Sequence, residues 1–138
     1  EIYTLSLHDA LPIYQPYESY EGSYQIGATI FSDVDNSMSI AQDEIFGPVL
    51  CIIPYDTEEE ALEIANDTIY GLSGVVFGEP EKALEFAGKI RSGEISINGN
   101  YSRYETPFGG YKQSGIGREG SKFGLDEYLE IKTIHVGE

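Results

Sequence analysis

Short apolar runs alternate with amphipathic segments along the middle of the chain, and this alternation most restricts the possible fold. Residues 49–55, VLCIIPY, form a continuous apolar run, which is typical of a strand buried on both faces. Two further short runs lie at 72–77 and 94–98, and a segment with helical periodicity precedes each of them. The order strand, helix, strand, helix, strand predicts an α/β fold with a mostly parallel sheet and flanking helices.

Both intervening helices have recognisable start signals. Thr57 and Glu60 have the spacing of a capping box, and the glutamates at 58–60 favour the positive end of the helix dipole. Pro80 suits the first position of the second helix, and Gly93 is placed to end it. We therefore expect one helix from each of these starts.

Weaker patterns lie on both sides of this region. Apolar alternation predicts a strand over 23–31, residues 40–44 can form one helical turn, and 125–128 can form a short helix. A last apolar run predicts a strand over 131–136. Residues 14–21 are polar and aromatic with one proline, which indicates a loop.

The composition argues against several classes of partner. Eight Lys and Arg residues against 24 Asp and Glu residues give a formal net charge of −16, which argues against binding to nucleic acid or to an anionic membrane. No apolar run approaches the length of a membrane span. The single cysteine, Cys51, excludes an internal disulfide and fits a reducing compartment, so we expect a cytoplasmic protein.

The first residues of the chain are not expected to be part of the fold. EIYTLSLHDALPI, residues 1–13, resembles the translation of a common sequencing adapter, and the chain has no initiating Met. We therefore expect residues 1–21 to be a non-native or loop leader, and the chain to be a fragment. His8 and Asp9 are for this reason not considered a catalytic pair.

The glycine-rich stretch SRYETPFGGYKQSGIGREG, residues 102–120, contains the spacing of a dinucleotide-binding loop at 115–120. Such a loop needs a strand before it and a helix after it, so that helix N–H groups meet a pyrophosphate. Residues 111–114 are not a buried strand, so the stretch is interpreted as an irregular loop with tight turns. Because it leaves the carboxyl end of the strand at 94–98, it lies where α/β proteins bind ligands.

A second pattern has the offsets of a calcium loop, with oxygen ligands from Asp33, Asp35, Ser37 and Glu44. The sharp turn of a calcium loop requires glycine, and Met38 occupies that position. A strand rather than a helix also precedes the pattern. A capped polar turn is therefore the preferred interpretation, and a calcium titration would test the alternative.

Few residues are candidates for nucleophilic or metal chemistry. Cys51 lies in an apolar run, without the electropositive setting that favours a thiolate, so it is interpreted as a small buried hydrophobe. His135 has no acidic partner near it in sequence, and there is no second credible histidine. Neither a metal cluster nor a Ser/Cys–His–acid triad is therefore predicted.

Composition and spacing alone leave two interpretations of Glu44. The first is a solvated carboxylate before a strand, which is the usual place of a charged side chain. The second is an acceptor for the hydroxyls of a polyol such as a ribose, with Phe46 offering an apolar face beside it. The first interpretation is favoured until the motifs are considered together.

Three motifs stand out when they are considered together: EIFGPV at 44–49, NDTIYGL at 66–72 and PFGGYKQSGIGRE at 107–119. In residues, order and spacing they resemble the C-terminal part of the NAD(P)-dependent aldehyde dehydrogenase family. The resemblance implies that residues 22–130 form the C-terminal part of the family's catalytic domain. It also implies that residues 131–138 form an oligomerisation strand.

The resemblance implies an enzyme that oxidises an aldehyde to a carboxylic acid with NAD or NADP, through a thiohemiacetal on a cysteine. Glu44 would hold the hydroxyls of the nicotinamide-side ribose, and Phe46 would pack beside the nicotinamide ring. The tunnel for the small-molecule aldehyde would be lined by Phe108, Tyr104 and Arg103.

The family's nucleophile, general base and cofactor domain precede the region that matches, and Cys51 does not match the nucleophile's motif. We therefore expect no catalytic residue in this chain and no turnover by it alone. The full-length protein is expected to be a homodimer or homotetramer. A free-standing acidic binding module without catalysis is the alternative hypothesis.

Overall fold

The computed structural model of the chain describes residues 11–14, 27–99 and 105–137. The chain divides into two compact units, Glu1–Asp67 and Thr68–Glu138. Among the described residues, each unit has its own small sheet, with three strands in the first and two in the second.

The first unit has a mixed sheet in the order β1-β2-β3. Strand β1 (Leu11–Tyr14) runs antiparallel to β2 (Thr29–Ser32), and β2 runs parallel to β3 (Val49–Cys51). Helix α1 (Ser39–Gln42) lies in the crossover between β2 and β3, and α2 (Glu58–Asn66) follows β3. The end of the crossover and the first residue of β3 therefore contain the first of the three sequence motifs.

The described residues of the first unit form a small core. Phe31 and Val34 are buried, and partly buried apolar side chains pack against them. These are Met38, Ile40, Ala41, Val49, Cys51 and Ile53. Because a single helical turn is not stable by itself, α1 depends on this packing and on side-chain hydrogen bonds to hold its position.

Helix α2 begins as its capping pattern predicts. The Thr57 hydroxyl accepts a hydrogen bond from the Glu60 N–H at 3.1 Å. The Glu60 carboxylate accepts from the Asp56 N–H at 2.7 Å, one residue before the N-cap position of an ideal capping box. One orphan donor of the helix, the Glu60 N–H, is thereby satisfied, and the N–H just before the N-cap is bonded as well.

The second unit contains a β-α-β crossover. Strands β4 (Ser73–Val76) and β5 (Glu94–Ile97) are parallel and in register, and α3 (Pro80–Ala87) connects them. A 3-10 turn (Lys112–Ser114) and α4 (Ser121–Asp126) follow. Within the described ranges, no helix is long and apolar enough to cross a membrane.

The predicted α/β class is confirmed, but the strands are shorter than the apolar runs. The run at 49–55 was expected to be buried on both faces, and this is wrong, because Leu50 and Ile52 are 57% and 46% exposed. In β3, Val49 and Cys51 pack against the core while Leu50 between them is exposed, so the strand buries a single face. Apolar composition indicated a strand here but not how many layers cover it.

Two helix boundaries also differ from the prediction. α3 ends at Ala87 with Gly88 as its C-cap, and not near Gly93, because the first glycine interrupts the helix before the second is reached. The last helix lies at 121–126 and not at 125–128. Both differences are shifts of an existing element.

The ends of the chain differ more strongly. The predicted strand at 131–136 is not confirmed, since no strand is found over 131–137 and Ile131, Ile134 and Val136 are exposed. A strand requires a neighbour for its backbone hydrogen bonds, and this segment pairs with none in the described part of the chain.

At the other end, β1 lies inside the predicted leader at 1–21, where a loop was expected. Residues 1–10 and 15–26 lie outside the described residues, and so do His8 and Asp9. The domain boundaries at 1–21, 22–130 and 131–138 stay predictions.

Candidate cofactor cleft and glycine loop

The segment 43–48 connects α1 to β3 and borders an open cleft of about 480 Å³ in the first unit. The cleft, called here the EIFGPV cleft, is lined by Ile40, Ala41, Asp43, Glu44, Ile45, Phe46, Gly47, Val49, Cys51 and Ile53. Both predicted cofactor residues, Glu44 and Phe46, are therefore part of one surface.

Phe46 has an unusual backbone conformation. Its φ is 56°, in the left-handed region that a residue with a Cβ rarely adopts. Its side chain is 92% exposed. A strained residue that presents a large apolar ring to solvent is a pattern associated with ligand contact.

The chain around Glu44 is held at its two ends. On one side the Asp43 N–H donates to the Ser39 carbonyl at 2.8 Å, and on the other the Pro48 carbonyl accepts from Thr29 N–H at 2.8 Å. Among the described residues, the backbone of 44–46 makes no hydrogen bond. Its N–H and C=O groups are thus free to meet a ligand.

The charges in the EIFGPV cleft limit the kind of ligand that it suits. Asp43 and Glu44 contribute carboxylates, and the lining described above includes no basic side chain. Ionised carboxylates accept hydrogen bonds and repel anions. The cleft therefore suits hydroxyl groups or a cationic ring better than a phosphate.

Cys51 forms part of the wall of this cleft. It is half-buried, and its thiol lies 3.5 Å from the Ile40 carbonyl oxygen, to which it donates. Burial raises the pKa of the Cys51 thiol. The thiol is therefore protonated at neutral pH, which fits its interpretation as a small apolar residue and not as a nucleophile.

The calcium-loop pattern forms a turn that is satisfied internally. The Asp35 carboxylate accepts from the Ser37 N–H at 2.8 Å and from the Ser37 hydroxyl at 2.6 Å. These hydrogen bonds lower the pKa of Asp35. In the described part of the chain, no group of three or more His, Cys, Asp or Glu side chains could hold a metal ion.

The second unit places Phe108 beside the glycine loop. The backbones of Phe108 and Glu119 form an antiparallel bridge with N–H to carbonyl distances of 2.8 and 2.6 Å. Phe108 is 44% exposed and faces an open cleft of about 350 Å³. This Phe108 cleft is also lined by Leu72, Gly109, Gly110, Ser114, Gly115, Gly117, Arg118, Glu119, Glu127 and Tyr128.

Gly71 joins the loop to the sheet. Its carbonyl accepts from the N–H groups of Tyr111 and Gly93 at 2.7 and 3.0 Å, and its own N–H donates to the Ser114 hydroxyl at 2.9 Å. A Cβ at this position would lie 2.6 Å from the Arg91 carbonyl oxygen. Glycine is therefore required by close packing here.

The Arg118 side chain also holds the glycine loop. Its guanidinium donates to the carbonyls of Gly110 and Gly117 at 3.0 and 2.7 Å, and it lies 5.3 Å from the centre of the Tyr111 ring. A 3-10 turn, not a strand, precedes the glycine pattern at 115–120. The loop therefore lacks the context of a phosphate cradle, as the sequence predicted.

The predicted site residues are thus distributed over both units. Glu44 and Phe46 share the EIFGPV cleft, and Phe108 lies in the second unit, while Arg103 and Tyr104 lie outside the described residues. Sequence reasoning missed the roles of Arg118 and of Gln42, which is bonded to the end of α2. No periodicity or motif spacing reports that a polar side chain will bond to a distant carbonyl.

The chain belongs to the aldehyde dehydrogenase family, an oxidoreductase family, because the family model matches residues 12–134. A curated relative, 3-succinoylsemialdehyde-pyridine dehydrogenase from a Pseudomonas species, is 52% identical over 118 residues, which cover 85% of this chain and 25% of the relative. The chain thus spans about a quarter of the length of the curated relatives that it matches. The resemblance predicted from the three motifs is confirmed.

Solved structures agree with this assignment. An aldehyde dehydrogenase from Mycobacterium tuberculosis, complexed with NAD+, is 46% identical with a TM-score of 0.82, over 88% of this chain and 26% of that chain. Aldehyde dehydrogenase C from Pseudomonas syringae, a variant complexed with NAD+ and octanal, is 45% identical with a TM-score of 0.81, over 89% and 26% of the two chains. Relatives of this chain therefore bind NAD+.

Proposed function

We propose that the chain forms the rear part of an enzyme that oxidises an aldehyde to a carboxylic acid with NAD or NADP. Family membership supports this proposal, and so does the short length of the chain relative to its relatives. In the proposal, the nucleophilic cysteine and the general base come from sequence outside this chain. Cys51 is a half-buried wall residue whose pKa is raised by burial, so it is unsuited to the role of nucleophile.

The observation that carries the proposal is the exposure of Glu44 and Phe46 on one open cleft. The Glu44 carboxylate has lone pairs for both hydroxyls of a ribose, and such hydrogen bonds to a charged acceptor are the stronger kind. The exposed Phe46 ring offers a flat apolar face for a planar ring. The residues present therefore fit the nicotinamide end of the cofactor.

The nicotinamide, when bound, accepts the hydride that leaves the aldehyde carbon. The residues of this chain bind and orient it. Because the oxidised ring is positively charged, the carboxylates of Asp43 and Glu44 and the face of Phe46 all attract it. With no basic residue lining the EIFGPV cleft, the anionic phosphates are bound by another part of the enzyme.

We assign the Phe108 cleft to the aldehyde side of the same enzyme. Phe108, Leu72 and Tyr128 give this cleft apolar walls, which suit the carbon chain of an aldehyde. Arg103 and Tyr104 stay predictions for the mouth of the tunnel. The exposed apolar residues at 131–136 support pairing with a second copy in a homodimer or homotetramer. The cytoplasmic location also stays a prediction.

The complete enzyme with Glu44→Gln tests the role of the cleft. Removing a charged hydrogen-bond acceptor is expected to raise the KM for the cofactor by about 10- to 100-fold. The matched control is Glu63→Gln, an exposed carboxylate on α2 that does not line the cleft, and it should leave the KM unchanged. An unchanged KM in Glu44→Gln would contradict the proposed role.

A long sequencing read upstream of the codon for Tyr14 tests whether the chain belongs to a larger enzyme. We expect an upstream coding region with a catalytic cysteine, and no NAD(P)-dependent turnover by the purified 138-residue chain. Turnover by the isolated chain would contradict the absence of a catalytic residue. A genuine short gene that begins with EIYTLSLHDALPI would favour the acidic binding module instead.

A further inference from the structure

A polar network lies directly beside the EIFGPV cleft and is not explained by cofactor binding. The Gln42 side-chain amide donates two hydrogen bonds, to the Asn36 carbonyl at 2.7 Å and to the Asp67 carbonyl at 3.0 Å. The Asn36 amide donates to the Asp67 carboxylate at 2.8 Å and to the Asp67 carbonyl at 3.3 Å. Asn36, Gln42 and Asp67 are called here the Gln42 network.

The network connects a weak helix to a stronger one. Helix α1 has four residues, too few to be stable alone, whereas α2 has nine residues and a capped start. The last turn of α2 has no basic residue, and its C-cap is Asp67. Carbonyls at a helix end need donors, and the amides of Gln42 and Asn36 supply them at Asp67.

Gln42 lies two residues before Glu44. Between the anchored Gln42 and Pro48, the backbone of 44–46 has no hydrogen bond to another described residue. The direction in which Glu44 and Phe46 face is therefore set at the two ends of the segment. Pro48 is fixed at one end by its bond to β2, and the Gln42 network fixes the other end.

We propose that Gln42 is a positioning residue for cofactor binding. It acts through the backbone of 43–46 to hold Glu44 and Phe46 against the ligand, and it does not touch the ligand itself. The inference rests on the proposed function, because it assumes that Glu44 and Phe46 bind the nicotinamide side of the cofactor.

The competing explanation is that the network only stabilises α2. Three variants separate the two. Gln42→Met keeps the length of the side chain and removes the donors, whereas Gln42→Lys keeps donors for the same carbonyls. Thr57→Ala removes the cap at the opposite end of α2, so it destabilises the same helix and leaves the Gln42 network in place.

Nitrogen-15 relaxation of the complete enzyme measures the order of the segment directly. In Gln42→Met, the amide order parameters of 44–47 are expected to fall toward values below about 0.6, which mark a flexible backbone. Gln42→Lys should restore them in large part, and Thr57→Ala should leave them at the wild-type values. Unchanged order in Gln42→Met would overturn the inference.

Kinetics of the complete enzyme then test the consequence for the ligand. Gln42→Met is expected to raise the KM for the cofactor about tenfold with a kcat change below about twofold, since uniform binding is lost. Thr57→Ala should change neither value, and Gln42→Lys should recover most of the loss. If Glu44→Gln raises the KM and Gln42→Met does not, the positioning role is wrong while the proposed function survives. If Glu44→Gln has no effect, the proposed function itself fails, and with it the positioning role.

Discussion

Segment 43–48 in the first unit and the glycine loop at 107–120 in the second both carry residues expected to face ligands, yet they are held differently. The backbone of 44–46 has no hydrogen bond to another described residue. The glycine loop is bonded along its length, by Gly71, by the bridge between Phe108 and Glu119, and by the Arg118 guanidinium.

The difference indicates two ways to build a binding surface. At Gly109 and Gly110 in the glycine loop, closely packed neighbouring atoms leave no room for a side chain, so the surface there is shaped by the scaffold. In segment 43–48 the side chains face solvent, and their positions depend on anchors outside the segment. Mutations should therefore affect stability mainly in the loop and ligand affinity mainly in the segment.

The largest effect is expected for Gly93→Ala. A Cβ on Gly93 would overlap the Gly109 carbonyl oxygen and lie 3.2 Å from the Leu72 carbonyl oxygen, and both are backbone atoms that cannot rotate away. We expect the free energy of unfolding to fall by about 3 kcal/mol or more, as overpacking against backbone does. Urea denaturation followed by circular dichroism measures this loss.

Gly88→Ala is the matched control. Gly88 is the C-cap of α3 with a φ of −63°, and a Cβ there would meet its nearest carbonyl oxygens at 3.5 and 3.6 Å, which is ordinary contact. The change should be within about 1 kcal/mol and stabilising, because alanine restricts the unfolded chain. Equal effects of the two substitutions would contradict the claim that close backbone packing holds the glycine loop.

Much of the fold was predictable from local signals. The helix starts at Thr57 and Pro80 and the runs at 72–77 and 94–98 produce elements where the sequence predicts them, because propensity and tertiary context agree. The strand at 131–136 was not confirmed, because a strand depends on a partner that its own residues do not specify.

The site was predictable to a smaller extent. Glu44 and Phe46 were identified through a motif, since composition alone favoured a solvated carboxylate. Their common cleft and the left-handed backbone of Phe46 are visible only in three dimensions. The hydrogen bond from Gln42 to Asp67 spans 25 residues, and no local pattern predicts such a contact.

Phe46→Gly should separate stability from affinity in the ligand segment. Glycine adopts a φ of 56° without the steric penalty of a Cβ, and the exposed Phe46 ring loses little packing. We expect the free energy of unfolding to rise by about 1 kcal/mol, while the KM of the complete enzyme for the cofactor rises. Ile116→Gly, at a fully exposed residue without a positive φ, should instead destabilise slightly. A loss of stability in Phe46→Gly would mean that its ring packs in solution.

The smallest effect concerns the reactivity of Cys51 in the wall of the EIFGPV cleft. Its thiol is half-buried and donates to the Ile40 carbonyl, and burial raises its pKa above the ordinary value of 9.0. Because the thiolate is the reactive form, alkylation by iodoacetamide at pH 8 should be slower in the folded chain than in urea. The raised pKa also means that its contribution to stability is present below pH 9 and is lost as the pH rises through the folded pKa. The difference in unfolding free energy between the wild type and Cys51→Ala should therefore shift against the wild type above pH 9. Alkylation at the unfolded rate would mean that the structure around the Cys51 thiol does not protect it.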